Sequence, residues 1–97
     1  MLPSKHHDYH YDAILRQFVK EGFGPQHIKT YLSHKMNKED LEEKLNQIDW
    51  STTCSQELNR KFGLETSFTR ELKGRAMRHL LFKGFSIGII MDTLDRL

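Results

Sequence analysis

The sequence predicts an all-α protein of tandem three-helix repeats, about two repeats and six helices in all. Three observations carry that prediction. An apolar triplet with constant spacing occurs three times, as Phe23, Ile28, Leu32, then Met36, Leu41, Leu45, then Phe85, Ile90, Leu94. In the first and third copies a Gly (Gly22, Gly84) stands directly before the Phe. Apolar residues recur at steps of three and four, the period of a helix with one buried face, while sustained alternation and Asn-Gly or Asp-Gly hairpin turns are missing. Self-similarity of this kind marks a helical repeat, and such proteins usually bind rather than catalyse.

The elements follow in order. Residues 1–7 read as a disordered leader. Asp8 is placed to cap a first helix carrying Tyr11, Ile14, Leu15, Phe18 and Val19 on one face, and Gly22 stops it. Gly24-Pro25 starts the second helix, because Pro at the first helical position loses no hydrogen bond; Ile28, Tyr31 and Leu32 are its inner stripe. Asn37 caps the third, with Glu39 and Asp40 in the first turn where the helix dipole favours negative charge, and Leu41, Leu45 and Ile48 buried. Asp49 caps the fourth, whose Trp50, Cys54, Leu58 and Phe62 fall at steps of four before Gly63 ends it. Thr66 or Ser67 opens the fifth, with Phe68, Leu72, Ala76 and Leu80 inward, Leu81 and Phe82 widening the apolar surface, and Gly84 closing it. Ser86 caps the sixth, carrying Ile87, Ile90, Met91, Leu94 and Leu97. Grouped by threes, these give a repeat over 8–48 and a second, basic repeat over 49–97.

The triplet has a physical task. Its Phe or Met sits at a helix–helix turn, and the two later residues lie one helical turn apart on the following helix. All three are placed to bury against the preceding helix. The expected core is therefore Phe23, Ile28, Leu32, Met36, Leu41, Leu45, Trp50, Phe62, Phe85, Ile90 and Leu94.

Composition narrows the function. The 97 residues are 37% hydrophobic and 29% charged, which suits helices with solvated outer faces. The only cysteine, Cys54, cannot form an internal disulfide, so a reducing cytoplasm is expected; the expected state of the chain is a monomer. No signal peptide is visible, and no apolar run approaches the ~20 residues that span a bilayer. His6, His7 and His10 form an HHxxH run in the leader without a nearby cysteine, which reads as an exposed polar terminus rather than a metal site. His27, His34 and His79 are scattered. Cys54 lacks a local His partner and sits on an apolar stripe, as a small buried hydrophobe does. No nucleophile elbow or phosphate-binding Gly loop is present. Neither catalysis nor a cofactor is predicted.

Charge is unevenly distributed. Residues 1–57 carry seven Lys/Arg against nine Asp/Glu, a net −2, and residues 58–97 carry eight against four, a net +4. The excess is concentrated in Arg60, Lys61, Arg70, Lys73, Arg75, Arg78 and Lys83, set against Glu65 and Glu71. Arg75 and Arg78, three apart, project to one side of the fifth helix, and Arg70 and Lys73 towards another. Glu71 precedes Arg75 by four, the spacing of a surface ion pair. A polyanion partner and a plain solvated face both remain open on these spacings.

The stretch from Trp50 to Leu97 resembles the RecX family of bacterial recombination regulators. The residues that carry the resemblance are Asp49-Trp50, the run Arg60-Lys61-Phe62-Gly63, and Lys73 to Ser86 (KGRAMRHLLFKGFS) followed by Ile90 and Leu94. Upstream, Glu21 to Lys35 (EGFGPQHIKTYLSHK) is similar to the family's Gly-aromatic-Gly-Pro turn and the helix after it. Lys83 stands where the family often has Arg. The family has three three-helix repeats, and the resemblance reaches the second and third, so a chain lacking the N-terminal repeat is expected. It implies a non-enzymatic protein of DNA repair, recombination and SOS control that lies in the groove of the RecA–DNA filament and inhibits RecA's ATP hydrolysis, strand exchange and coprotease activity. The seven basic residues are then the candidates for contact with RecA or DNA. Direct binding of DNA by a helical module, and a helical protein-interaction adaptor using the acidic first half, are the alternatives.

Overall fold

A computed structural model describes residues 3–63 and 69–96, with side chains from Tyr11 onward. Six helices follow one another: α1 (Pro3–Lys20), α2 (Pro25–Leu32), α3 (Lys38–Asn46), α4 (Trp50–Phe62), α5 (Arg70–Lys83) and α6 (Ile87–Asp95). No strand occurs among the described residues. The all-helical expectation holds.

Most boundaries arise from local chemistry. Asn37 accepts hydrogen bonds from the Glu39 and Asp40 amides, Asp49 from Thr52, and Ser86 from Ile89, so each satisfies backbone donors that a helix start leaves open. Pro25 begins α2 after Gly24. Gly22 and Gly84 close α1 and α5 with φ of +88° and +104°, a left-handed conformation that costs any other residue ~1–2 kcal/mol.

Two starts differ from expectation. α1 begins at Pro3, not after Asp8, so it takes in most of the stretch read as leader; Pro is well suited to a first helical turn. The side chains of Asp8 and of the HHxxH histidines lie outside the described residues. α5 begins at Arg70, where the Thr69 hydroxyl accepts from the Leu72 amide. Thr66, Ser67 and Phe68, expected at its head, lie outside the described residues, as does Leu97.

Two apolar clusters form. Leu15, Ile28, Leu32, Leu41 and Leu45 make one among the first three helices. Cys54, Leu58, Ala76, Leu80, Phe85, Ile90 and Leu94 make the other among the last three. Trp50 packs against both, and its indole N–H donates to the Leu45 carbonyl at 3.0 Å. Seven of the nine triplet residues are buried; Phe23 and Met36 are half-buried. Burial pushes the Cys54 thiol up, which fits an inert core residue. Three residues expected on inner stripes face outward instead: Tyr31, Ile87 and Met91. The apolar arc of α6 is broad, with Asp92 and Asp95 outside it, so spacing does not say which part of the arc turns inward; Ile90 and Leu94, with Thr93, do. Tyr31 lies at the edge of its helix, against Phe18 and under the Lys35 ammonium.

The two clusters are joined where the two Gly-Phe turns meet. The Gly24 amide donates to the Lys83 carbonyl at 2.8 Å, and the Gln26 amide to the Gly84 carbonyl at 2.9 Å. A Cβ on Gly24 would stand 2.5 Å from the Gly84 carbonyl carbon, and one on Gly84 2.6 Å from the His27 nitrogen. Backbone meets backbone here because neither side carries a side chain. The whole measures 55 × 19 × 17 Å, and its radius of gyration of 15.2 Å exceeds the ~13 Å of a compact chain this long. It is a rod.

Candidate functional site

The basic residues take four different positions. Arg75 and Arg78 are exposed on the outer side of α5, and Arg70 and Lys73 are exposed elsewhere on its surface. Lys61 is exposed near the end of α4. None of these five forms an ion pair among the described residues, so the expected Glu71–Arg75 pair is not made. Helical spacing places Glu71, Arg75, Arg78 and Phe82 on one ridge. Phe82 is 82% exposed, and Leu81 beside it is exposed too. This ridge is the clearest candidate for an interaction surface.

Arg60 and Lys83 do not join it. Both point to Glu57, a carboxylate only 1% exposed. Arg60 grips it with two parallel hydrogen bonds, Nε to Oε1 at 2.9 Å and a terminal nitrogen to Oε2 at 2.8 Å. The His79 Nε2–H donates to Oε2 at 2.6 Å. The Lys83 ammonium lies 3.8 Å from the same oxygen, donates to the Glu21 carbonyl at 3.1 Å, and sits 3.9 Å above the Phe23 ring. Lys83 was expected among the contact residues. It is instead buried, because the α1–α2 turn supplies a carbonyl and a ring that desolvate and hold it. Burial pushes the Glu57 carboxyl up, yet the hydrogen bonds from Arg60 and His79 and the charges of Lys83 and Arg60 outweigh that and hold it below its ordinary value of 4.5.

Glu57 is the residue that the spacing did not single out. A faint signal existed: it adjoins Leu58 on the buried side of α4 and precedes Arg60 by three. Its other partners come from 22 and 26 residues further along, beyond any local pattern. Gly22 belongs to the same arrangement, since a Cβ there would overlap the Glu57 carboxylate.

Elsewhere, a groove of about 820 Å³ runs between α1 and α3, with Arg16 and Lys20 on one wall and Asp40 and Glu43 on the other. Lys44 and Asp12 form an ion pair across it. Among the described residues, no three His, Cys, Asp or Glu side chains are grouped to hold a metal, and no helix is long and apolar enough to cross a membrane.

Curated proteins named Regulatory protein RecX are similar to this chain. One from Acinetobacter baylyi is 29% identical over 87 residues, which are 89% of this chain and 55% of that protein. One from Salmonella typhimurium is 27% identical over 103 aligned residues, 94% of this chain and 58% of that protein, and one from Salmonella newport matches equally. The chain thus spans a little over half the length of the curated relatives it matches. No family model matches it, and no solved structure does.

Proposed function

The chain is a homologue of the RecX regulatory proteins over about nine-tenths of its length, and on that premise we propose that it binds the RecA–DNA filament and restrains RecA. ATP hydrolysis, strand exchange and RecA-stimulated repressor cleavage are the activities it lowers. It does so by occupancy, making and breaking no bond itself. Within the molecule, one observation supports the reading above the others: α5 presents Arg75 and Arg78 exposed and without an ion pair among the described residues, along a rod 55 Å long, a shape suited to lying in a groove.

The test is RecA's DNA-dependent ATPase with increasing amounts of this protein. Inhibition is expected. Failure to bind RecA filaments in any nucleotide state removes the reading. Inhibition by a full-length relative but not by this chain would place the activity in the part of the relatives that this chain does not match.

Direct binding of DNA without RecA is the second reading, and the same unpaired cations favour it. It predicts salt-sensitive binding to bare DNA. Replacing Arg75 and Arg78 together by Ala should then flatten the dependence of log affinity on log salt by roughly 2, one phosphate contact for each side chain. An unchanged slope assigns those contacts elsewhere.

A further inference from the structure

We propose that the α5–α6 hairpin docks through Phe82 into an apolar pocket with an acidic rim on a protein partner. Resting on the reading above, this is the contact with the RecA protein itself rather than with DNA. Of the five large hydrophobic side chains exposed among the described residues, four fall between positions 81 and 91: Leu81 at 46%, Phe82 at 82%, Ile87 at 52% and Met91 at 43%. They flank one turn. Water is an unfavourable neighbour for that much apolar surface, and such concentration marks an interaction site.

The chemistry selects the class of partner. Phe82 stands four residues after Arg78 and seven after Arg75, on the same ridge. An exposed aromatic beside unpaired arginines, with Met nearby, is the composition of a protein–protein interface core and of its energetic hot spots. The cations call for carboxylates around the pocket that receives the ring. A single-stranded nucleic acid would be served by successive aromatic platforms along a basic groove. Here the other exposed apolar side chains of the hairpin, Leu81, Ile87 and Met91, are not aromatic and offer bases and phosphates little. The backbone at this end of α5 does not compete for a ligand, because the Lys83 and Gly84 carbonyls already accept from Gly24 and Gln26.

The experiment compares Phe82→Ala with the unaltered 97-residue chain. Binding is measured to RecA filaments assembled on single-stranded DNA with a non-hydrolysable ATP analogue, and to the same DNA bare. The substitution is at an exposed helical position, and circular dichroism verifies the fold. Phe82→Ala should weaken filament binding about tenfold or more and leave binding to bare DNA unchanged. Equal weakening on bare DNA would assign the ring to nucleic acid, and unchanged filament binding would deny it a docking role; either overturns the proposal. So would sedimentation showing a dimer that Phe82→Ala dissolves, since the patch would then be covered by a second copy. If the unaltered chain fails to bind filaments, the RecA reading falls and takes this inference with it. If the unaltered chain binds and the variant binds equally, only the inference falls.

Discussion

Gly24→Ala is expected to lower the melting temperature by roughly 10 °C or more, at 4–8 °C per kcal/mol for a chain of this size. The added methyl would stand 2.5 Å from the Gly84 carbonyl carbon and 2.6 Å from the Phe85 nitrogen. Both are backbone atoms, so no side chain can swing away. The two turns must separate, which adds an overpacking cost of about 1–3 kcal/mol to the loss of two hydrogen bonds worth ~0.5–1.5 kcal/mol each. Gly84→Ala suffers the left-handed φ of +104° besides its contact with His27. Gly88→Ala is the contrast. It lies inside α6 with nothing within 4 Å of the new methyl, and replacing a helical Gly should stabilise by ~0.5–1 kcal/mol. Thermal melts of the three variants decide the matter. A Gly24→Ala midpoint within the error of the parent would show that the joint yields freely.

The second large effect belongs to Glu57. Glu57→Leu should cost about 3–5 kcal/mol, because it strands the buried Lys83 without its counter-charge. Pairing it with Lys83→Met should recover part of the loss, since replacing both members of a buried ion pair by apolar residues is often close to neutral, while Arg60 and His79 still lose their shared acceptor. Denaturant melts of the two single variants and the double give the coupling directly; strictly additive losses would show that the two residues do not interact. The pH dependence has a definite sign. The Glu57 carboxyl ionises more readily folded than unfolded, so its contribution is complete above 4.5 and disappears as pH falls through the lower folded value. Stability of the parent should therefore decline more steeply on acidification than that of Glu57→Gln.

These two sites show what a sequence discloses and what it withholds. Asn37, Asp49 and Ser86 could be recognised as caps, and Gly22 and Gly84 as stops, because each acts on atoms within a few residues of itself. The triplets led to the core for the same reason. Lys83 could not be told from Arg75 or Arg78. All three are cations in one basic run, and only the arrival of Glu21 and Phe23 from 62 and 60 positions away separates the buried one from the others. Spacing places Phe82 as a widening of the inner stripe of α5; the ring instead faces solvent, because which side α4 and α6 cover is not a local property. The start of α5 moved because three hydroxyl residues, Thr66, Ser67 and Thr69, compete for the cap, and composition does not rank them. Ile87 and Met91 belong to the same broad apolar arc of α6 as Ile90 and Leu94, and spacing does not separate the exposed members from the buried ones.

The separation of the apolar residues into two clusters bears on how the chain folds. Each cluster closes within three consecutive helices, so most stabilising contacts are near in sequence, which favours rapid folding. The clusters share little beyond Trp50 and the paired turns. Amide exchange should therefore report two opening events instead of one. The first three helices rely on a short α2 and a strongly charged α3, and they should exchange sooner than α4 to α6, where Phe85, Ile90 and Leu94 complete the larger cluster.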